Sequence, residues 1–253
     1  MNDAALRILI LGGTSEASAL VRGLAGDPGV EVTLSLAGRT SAPKAEPVPT
    51  RVAGFGGAEG LARWIAENRT GLVIDATHPF AARIGANAAQ ACAETGVPLL
   101  AIRRPPWTRD PRDRWTEVDS VVASVAALGA APRRVFLTIG RLELGAFAGA
   151  PQHDYIVRTI EPVGNALRVP RLTTVEARGP FDQAAEGGFL REAGIEVLVT
   201  KNSGGPATYG KIAAARALGL PVVIVRQPEK PAVQQVADAA AALVWIDRFR
   251  RTA

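Results

Sequence analysis

The sequence predicts an α/β protein with parallel sheets arranged in two lobes, on three observations. Short β-rich runs alternate with helical ones along almost all of the 253 residues. The first run, Arg7-Ile-Leu-Ile-Leu11, is a buried-strand pattern that breaks on Gly12 and Gly13 and re-enters a helix. After a proline-rich stretch at 103–115 the same alternation begins again.

In the first half, strands are expected at 6–11, 31–36, 49–53, 71–76 and 98–103, with helices near 15–26, 57–68 and 80–95. Ala58, Leu61, Ala62 and Ile65 recur at helical spacing, so the second helix should lay one face on a sheet. Gly96-Val-Pro98 stops the third. Three prolines, mixed charge and no apolar period make 103–115 the expected linker. Beyond it come a helix near 119–129, strands at 134–139 and 155–159, an irregular Pro/Gly stretch and a helix near 181–193. A strand at 196–200, a helix near 207–218, a strand at 221–226 and a last helix near 232–248 complete the pattern. The implied domains are 1–104 and 105–253, with the last helix able to pack back on the first lobe and a cleft between facing strand ends.

Composition narrows the function. No apolar run approaches the ~20 residues of a membrane span, and the N-terminus passes straight into a strand, so a cytoplasmic protein is expected. One cysteine and two distant histidines argue against a disulfide or a metal site, and Cys92 reads as a small core residue. A monomer is expected. The net charge of +5 is carried mainly by arginine, the lysines being only Lys44, Lys201, Lys211 and Lys230. Arginine forks suit a polyanionic ligand, although genomic bias toward Arg, Ala and Gly explains the composition equally well. With the arginines scattered and no aromatic RNA-binding motif, nucleic acid is disfavoured.

The glycine turn is where chemistry begins. Gly12, Gly13, Thr14 and Ser15 lie between strand and helix, where backbone N–H groups and a helix N-terminus receive a pyrophosphate. Gly12 and Ala17 match the outer positions of the dinucleotide fingerprint, with Thr14 in place of its middle glycine; an ordinary turn is the alternative. At the end of the next strand, Ser35, Gly38, Arg39 and Thr40 stand where an NAD site usually has Asp or Glu. A carboxylate-free end with an arginine suits a 2′-phosphate, so the expected cofactor is NADPH.

Three further strand-end loops carry polar groups. In Asp75-Ala-Thr-His-Pro-Phe80, Pro79 suits a first helical turn, which leaves Thr77 or His78 as cap and both as candidate cofactor contacts. His78 is also the candidate proton donor, with a positioning and capping role favoured over it. Thr138-Ile-Gly-Arg141 and Lys201-Asn-Ser-Gly-Gly205 end strands on glycine and a cation, as anion nests or as plain solvated turns. Arg103 and Arg104 are either ligand contacts or linker charge. Tyr209 precedes Lys211 by two residues, so the Tyr-x-x-x-Lys pair of short-chain dehydrogenases is absent, and His153 is expected in a surface turn without a role.

Taken in order, Ile10-Leu-Gly-Gly-Thr-Ser-Glu16, Ser35-Leu-Ala-Gly-Arg39, Asp75-Ala-Thr-His-Pro-Phe80, Thr138-Ile-Gly-Arg141, Thr200-Lys-Asn-Ser-Gly-Gly205 and Val223-Ile-Val-Arg-Gln-Pro228 span nearly the whole chain. They resemble the precorrin-6A reductases, the NADPH-dependent reductases of cobalamin biosynthesis. The resemblance implies two Rossmann-like lobes, with NADPH and the corrinoid precursor precorrin-6A in the cleft, and reduction of one macrocycle C=C bond to give precorrin-6B. It gives Arg141, Lys201, Asn202, Ser203 and Gly204 a purpose, because the substrate carries many carboxylates. Gln227 departs from the Arg-Pro ending expected there. The rival readings are a non-catalytic two-lobed binder of a nucleotide or anionic ligand and a nucleotide-sugar transferase.

Overall fold

The computed structural model describes residues 5–38 and 45–252. Its elements run β1 (Leu6–Leu11), α1 (Ser15–Leu24), β2 (Val30–Leu36), β3 (Thr50–Val52), α2 (Ala58–Glu67), β4 (Leu72–Asp75), α3 (Ala82–Thr95) and β5 (Leu99–Ile102). Next come β6 (Arg114–Val118), α4 (Val121–Ala127), β7 (Arg134–Thr138), a 3₁₀ segment (Arg141–Gly149), β8 (Asp154–Thr159) and β9 (Leu172–Glu176). The chain closes with α5 (Gln183–Glu192), β10 (Val197–Lys201), α6 (Gly210–Ala217), β11 (Pro221–Val225), β12 (Gln234–Val236) and α7 (Ala239–Thr252).

These elements form two compact units, each with one six-stranded sheet in which every pairing is parallel. The first unit joins Met1–Arg104 to Pro228–Ala253, and the second is Pro105–Gln227. The domain boundary therefore differs from the expected 105–253: the last stretch returns to the first unit, where β12 pairs with β5 and α7 packs on α1.

In the first unit the strand order is β12-β5-β4-β1-β2-β3. A parallel sheet buries both faces, and β1 shows it residue by residue. Ile8 and Ile10 join a core with α1 residues Leu20 and Val21 and α7 residues Ala242 and Ile246. Leu9 and Leu11 turn to the other face, against Leu61, Ala62 and Ile65 of α2 and Ala88 of α3, the packing the helical spacing predicts. The second unit has the order β6-β11-β10-β7-β8-β9, with Phe136, Leu198 and Ile224 packed against Leu190 and Ile212. In both sheets the strand order reverses near the middle, between β1 and β4 and between β7 and β10. That reversal opens the crevice in which an α/β sheet binds its ligand.

Three strands lie where none is expected. β6 begins in the last two residues of the supposed linker and runs on to Val118, β9 lies in the irregular stretch, and β12 lies in the supposed last helix, which starts only at Ala239. All three are edge strands. The segment before β6 is a built part of the second unit: Asn202 clamps the backbone of Trp107, and Arg216 binds Asp113 at 2.8 Å.

Ile246 is 1% exposed in the first unit's core, although it lies some 200 residues downstream of the strands it covers. Ile246→Ala should cost about 2–5 kcal/mol, read as a lower midpoint in denaturant unfolding. An unchanged midpoint would mean that α7 does not complete this core.

Candidate functional site

The turn after β1 is pinned from both sides. Gly12 N–H donates to Ser35 O at 2.9 Å, tying the turn to β2, and Ala76 N–H donates to Leu11 O at 2.9 Å. Thr14 caps α1, its hydroxyl accepting from Ala17 N–H at 3.1 Å while donating to Ala76 O at 2.7 Å. A Cβ on Gly12 would lie 2.5 Å from Leu34 Cδ1 and 3.2 Å from Ala17 Cβ, so a side chain there would force the buried Leu34 to move. Gly13 has φ +106°, a backbone that L side chains rarely adopt, and a Cβ there would meet nothing within 4 Å. The combination is a rigid turn with room above its second glycine, the form a phosphate cradle takes. Ser15 bonds Glu16, which pairs with Arg104 at 3.2 Å; Arg104 is part of this unit's fabric and not linker charge.

At the end of β2, Ser35 is buried and Gly38 has φ +69°. Arg39 and Thr40 lie outside the described residues. In register with Ser35 stands Arg51 of β3, whose Nη1 donates to Ser35 Oγ at 2.8 Å. Nothing in the sequence of a three-residue edge strand marks the side chain of this second arginine.

After β4, Asp75 is fully buried. Its Oδ1 accepts from Thr77 N–H at 3.0 Å and from the Thr77 hydroxyl at 2.5 Å, and Arg103 Nη1 lies 2.8 Å from Oδ2. A Cβ on Gly85 of α3 would sit 3.1 Å from that same Oδ2, so the helix packs close on the buried pair and a side chain there would press on Asp75. Pro79 does not open the helix and neither Thr77 nor His78 caps it: α3 begins at Ala82 behind Ala81. The reason is local. The His78 carbonyl accepts from Ala81 N–H at 2.8 Å, and His78 Nδ1 accepts from Phe80 N–H at 3.2 Å, closing a separate turn before the helix. With Nδ1 an acceptor, a neutral His78 carries its proton on Nε2. Lys230, from the returning segment, reaches the His78 carbonyl at 3.3 Å.

In the second unit, Arg141 and the Lys201–Gly205 loop follow β7 and β10, one on each side of the strand-order reversal. Lys201 is ion-paired with Glu143 of the 3₁₀ segment, and Arg141 Nη1 reaches Pro162 O at 3.3 Å. Gly204 and Gly205 have φ of +64° and +73°, turning the chain beside Ser203. Asn202 is buried, accepting from Trp107 N–H at 2.7 Å and donating to Trp107 O at 3.1 Å, so its amide holds the chain beside this loop.

His153 also departs from expectation: it is fully buried, and its Nδ1 accepts from Arg133 N–H at 3.2 Å. Burial holds its pKa below the ordinary imidazole value. Cys92 is buried as expected, its thiol pushed up to about 11 by burial, which makes it unreactive. A cavity of about 500 Å³ lies against Arg7, Ile8, Val30 and Glu31, at the amino ends of β1 and β2. That is the opposite edge of the sheet from the loops above, so this cavity is not the crevice. Among the described residues no helix is long and apolar enough to cross a membrane.

Lys211 of α6 is 6% exposed, its Nζ donating to Thr208 O at 3.1 Å and lying 5.3 Å from the Trp107 ring. Burial pushes its pKa down to about 7, aided by Arg158, while Glu186 opposes the shift but is already gripped by Arg158 through two 2.7 Å bonds. Unfolded, the same amine titrates near 10.5. Between these values the unfolded chain holds the extra proton, so this group makes stability rise with pH from about 7 to 10.5. Lys211→Met should therefore stabilise the protein most below pH 7, with the gain shrinking toward pH 10.5. Melting temperatures of both proteins across that range check it, and parallel curves would contradict it.

Residues 7–247 match the family model described as CbiJ, precorrin-6x reductase CbiJ/CobK. The chain is 55% identical over 226 residues to a precorrin-6A reductase of a Sinorhizobium species, covering 89% of this chain and 86% of that one. A solved structure described as CobK precorrin-6A reductase superposes with a TM-score of 0.90 at 47% identity, covering 96% of each chain. Against a cobalt-precorrin-6A reductase of Methanothermobacter thermautotrophicus the identity falls to 29%, covering 88% of this chain and 77% of that one. With nearly its whole length matched, and with the paired parallel sheets of its structural relative, the chain belongs to the precorrin-6x reductase family and is an oxidoreductase of cobalamin biosynthesis.

Proposed function

We propose that this chain reduces one C=C bond of metal-free precorrin-6A with NADPH, giving precorrin-6B, and acts as a cytoplasmic monomer. The observation that carries the cofactor is the pinned turn at Gly12–Gly13 beside a strand end, Ser35 to Gly38, that holds no carboxylate. The metal-free substrate is supported by the stronger match to precorrin-6A reductase than to its cobalt counterpart, 55% against 29%.

When bound, NADPH supplies the hydride. Gly13, Thr14 and Ser15 then offer backbone donors and the α1 N-terminus to the pyrophosphate, Gly12 contributing the close passage of the turn while its own N–H stays on Ser35 O, with Ser35, Gly38, Arg39 and Thr40 on the adenosine side. Thr77 and His78, beyond β4 on the other side of the reversal, are left for the nicotinamide half. Asp75 holds Thr77 by two bonds, so that loop keeps its shape as ligands come and go. Arg141, Lys201, Ser203 and Gly204 bind substrate carboxylates, Lys201 exchanging Glu143 for a carboxylate of the macrocycle. Asn202 contributes by fixing Trp107 beside this loop.

Incubation with precorrin-6A and NADPH should add two hydrogens to the macrocycle, read by mass, with NADH much slower. A macrocycle recovered unchanged would favour a binding protein instead. His78, whose Nδ1 accepts from Phe80 N–H, is read first as a positioning group for cofactor or substrate, with proton donation to the carbon beside the one that receives hydride as its second role. Were His78 the essential proton donor, His78→Ala would lower the single-turnover rate at saturating NADPH by about 10²–10⁴-fold; the positioning role gives a smaller loss. Recovery of that rate in His78→Gln, which donates a hydrogen bond but transfers no proton, would reduce the role to positioning.

A further inference from the structure

The end of β3 has no part in the expected site, yet it places a cation where the adenosine ribose belongs. Arg51 pairs in register with Ser35, the strand end at which dinucleotide folds tell NADPH from NADH. Its Nη1 donates to Ser35 Oγ at 2.8 Å and to Ala53 O at 3.0 Å, and Nη2 donates to Gly54 O at 3.3 Å. The guanidinium carbon lies 3.9 Å from the centre of the Phe55 ring. Four contacts thus fix a planar cation beside the carboxylate-free strand end before any ligand arrives, and a preorganised fork loses less freedom on meeting a phosphate than a mobile side chain would. Partial burial lowers its pKa, with no carboxylate among the described residues offsetting the desolvation. Ion pairs elsewhere in the unit, such as Arg103 with Asp75, show the other arrangement.

We propose that Arg51 is a specificity residue of the cofactor site, binding the 2′-phosphate through its guanidinium, which Ser35 and the Phe55 ring hold at the end of β2. The inference rests on the NADPH reading above and extends it to a residue outside the glycine turn and the Ser35–Thr40 stretch. Phe55 and the two loop carbonyls account for the rotamer; the phosphate accounts for a cation being retained there.

Adenosine 2′,5′-bisphosphate and AMP differ only in the 2′-phosphate, so their dissociation constants, measured by calorimetry, isolate this contact without turnover. The native chain should bind the bisphosphate far more tightly than AMP. Arg51→Gln should weaken the bisphosphate by roughly 10–100-fold and leave AMP within about twofold, as for loss of one charge-assisted contact. Arg51→Lys, which keeps charge but not the fork, should fall between, and it stands in if Arg51→Gln does not fold. A native chain that prefers the bisphosphate while both variants keep the full preference overturns the role of Arg51 alone. A native chain that binds both ligands equally overturns the NADPH reading and this inference together. Equal weakening of both ligands in the variants would make Arg51 a loop strut and also overturn the proposal.

Discussion

The first crevice depends on one hydroxyl. Thr14 accepts from Ala17 N–H and donates to Ala76 O, so a single oxygen caps α1 and locks the β1 turn to the exit of β4. A glycine there, as the dinucleotide fingerprint has it, would allow closer approach of a pyrophosphate but supply neither bond. Ala76 is itself buried, and its carbonyl would lose the Thr14 donor, at a cost of about 1–3 kcal/mol if nothing replaced it. The departure from the motif is thus a trade within one small volume. Backbone freedom is confined to Gly13, and the residue after it becomes a brace between the two strands that flank the crevice.

Buried charge extends that brace along the sheet. Asp75 has no solvent contact, so its charge is tolerable only beside Arg103, which lies at the end of the neighbouring β5. The pair contributes little net stability as such, but losing either partner strands the other in a low-dielectric interior. The second unit repeats the device with Arg158 and Glu186, and with Arg216 and Asp113. In each case the pair joins elements distant in sequence, a role that hydrophobic contacts fill less specifically. Lys230 belongs to the same logic: it is delivered by the returning segment and touches the His78 turn, so the segment that completes the first sheet also braces a loop of the proposed site.

The legibility of the fold follows from where apolar pattern is physically required. Central strands such as β1, β4, β7 and β10 are covered on both faces, and their unbroken runs of Ile, Leu and Val announce them. Edge strands pair on one side only. β9, Leu-Thr-Thr-Val-Glu, is mostly exposed, and β12, Gln-Gln-Val, has no buried residue, so neither carries a pattern to read. The site divides the same way. Loops that follow central strands were legible as chemistry-bearing, because the crevice rule places ligands there. The use each side chain makes of its position was not. Asn202 looks like a ligand residue and is a backbone clamp, and His78 looks like a helix cap and closes its own turn. Arg51 looks like surface charge and is stacked on a ring and bonded to Ser35. The Asn202 clamp depends on a partner 95 residues away, and the His78 turn and the Arg51 stack depend on side-chain geometry that residue types at that spacing do not fix.

The arginine excess divides along the same lines. Polyanion binding and genomic bias were the two explanations that composition offered, and the structure adds a third. Arg103, Arg104, Arg158 and Arg216 are each at least four-fifths buried as side chains and each face a carboxylate of their own unit. A guanidinium suits this duty because it is planar, permanently charged and more weakly hydrated than an ammonium, so it enters an interior at lower desolvation cost. Net charge is therefore a poor gauge of affinity for an anionic ligand in this chain. What matters is charge at the strand ends that is not cancelled within hydrogen-bonding distance. By that measure the Ser35–Arg51 corner, where the cation is held by a hydroxyl, carbonyls and a ring, differs from Lys201, whose charge is paired with Glu143.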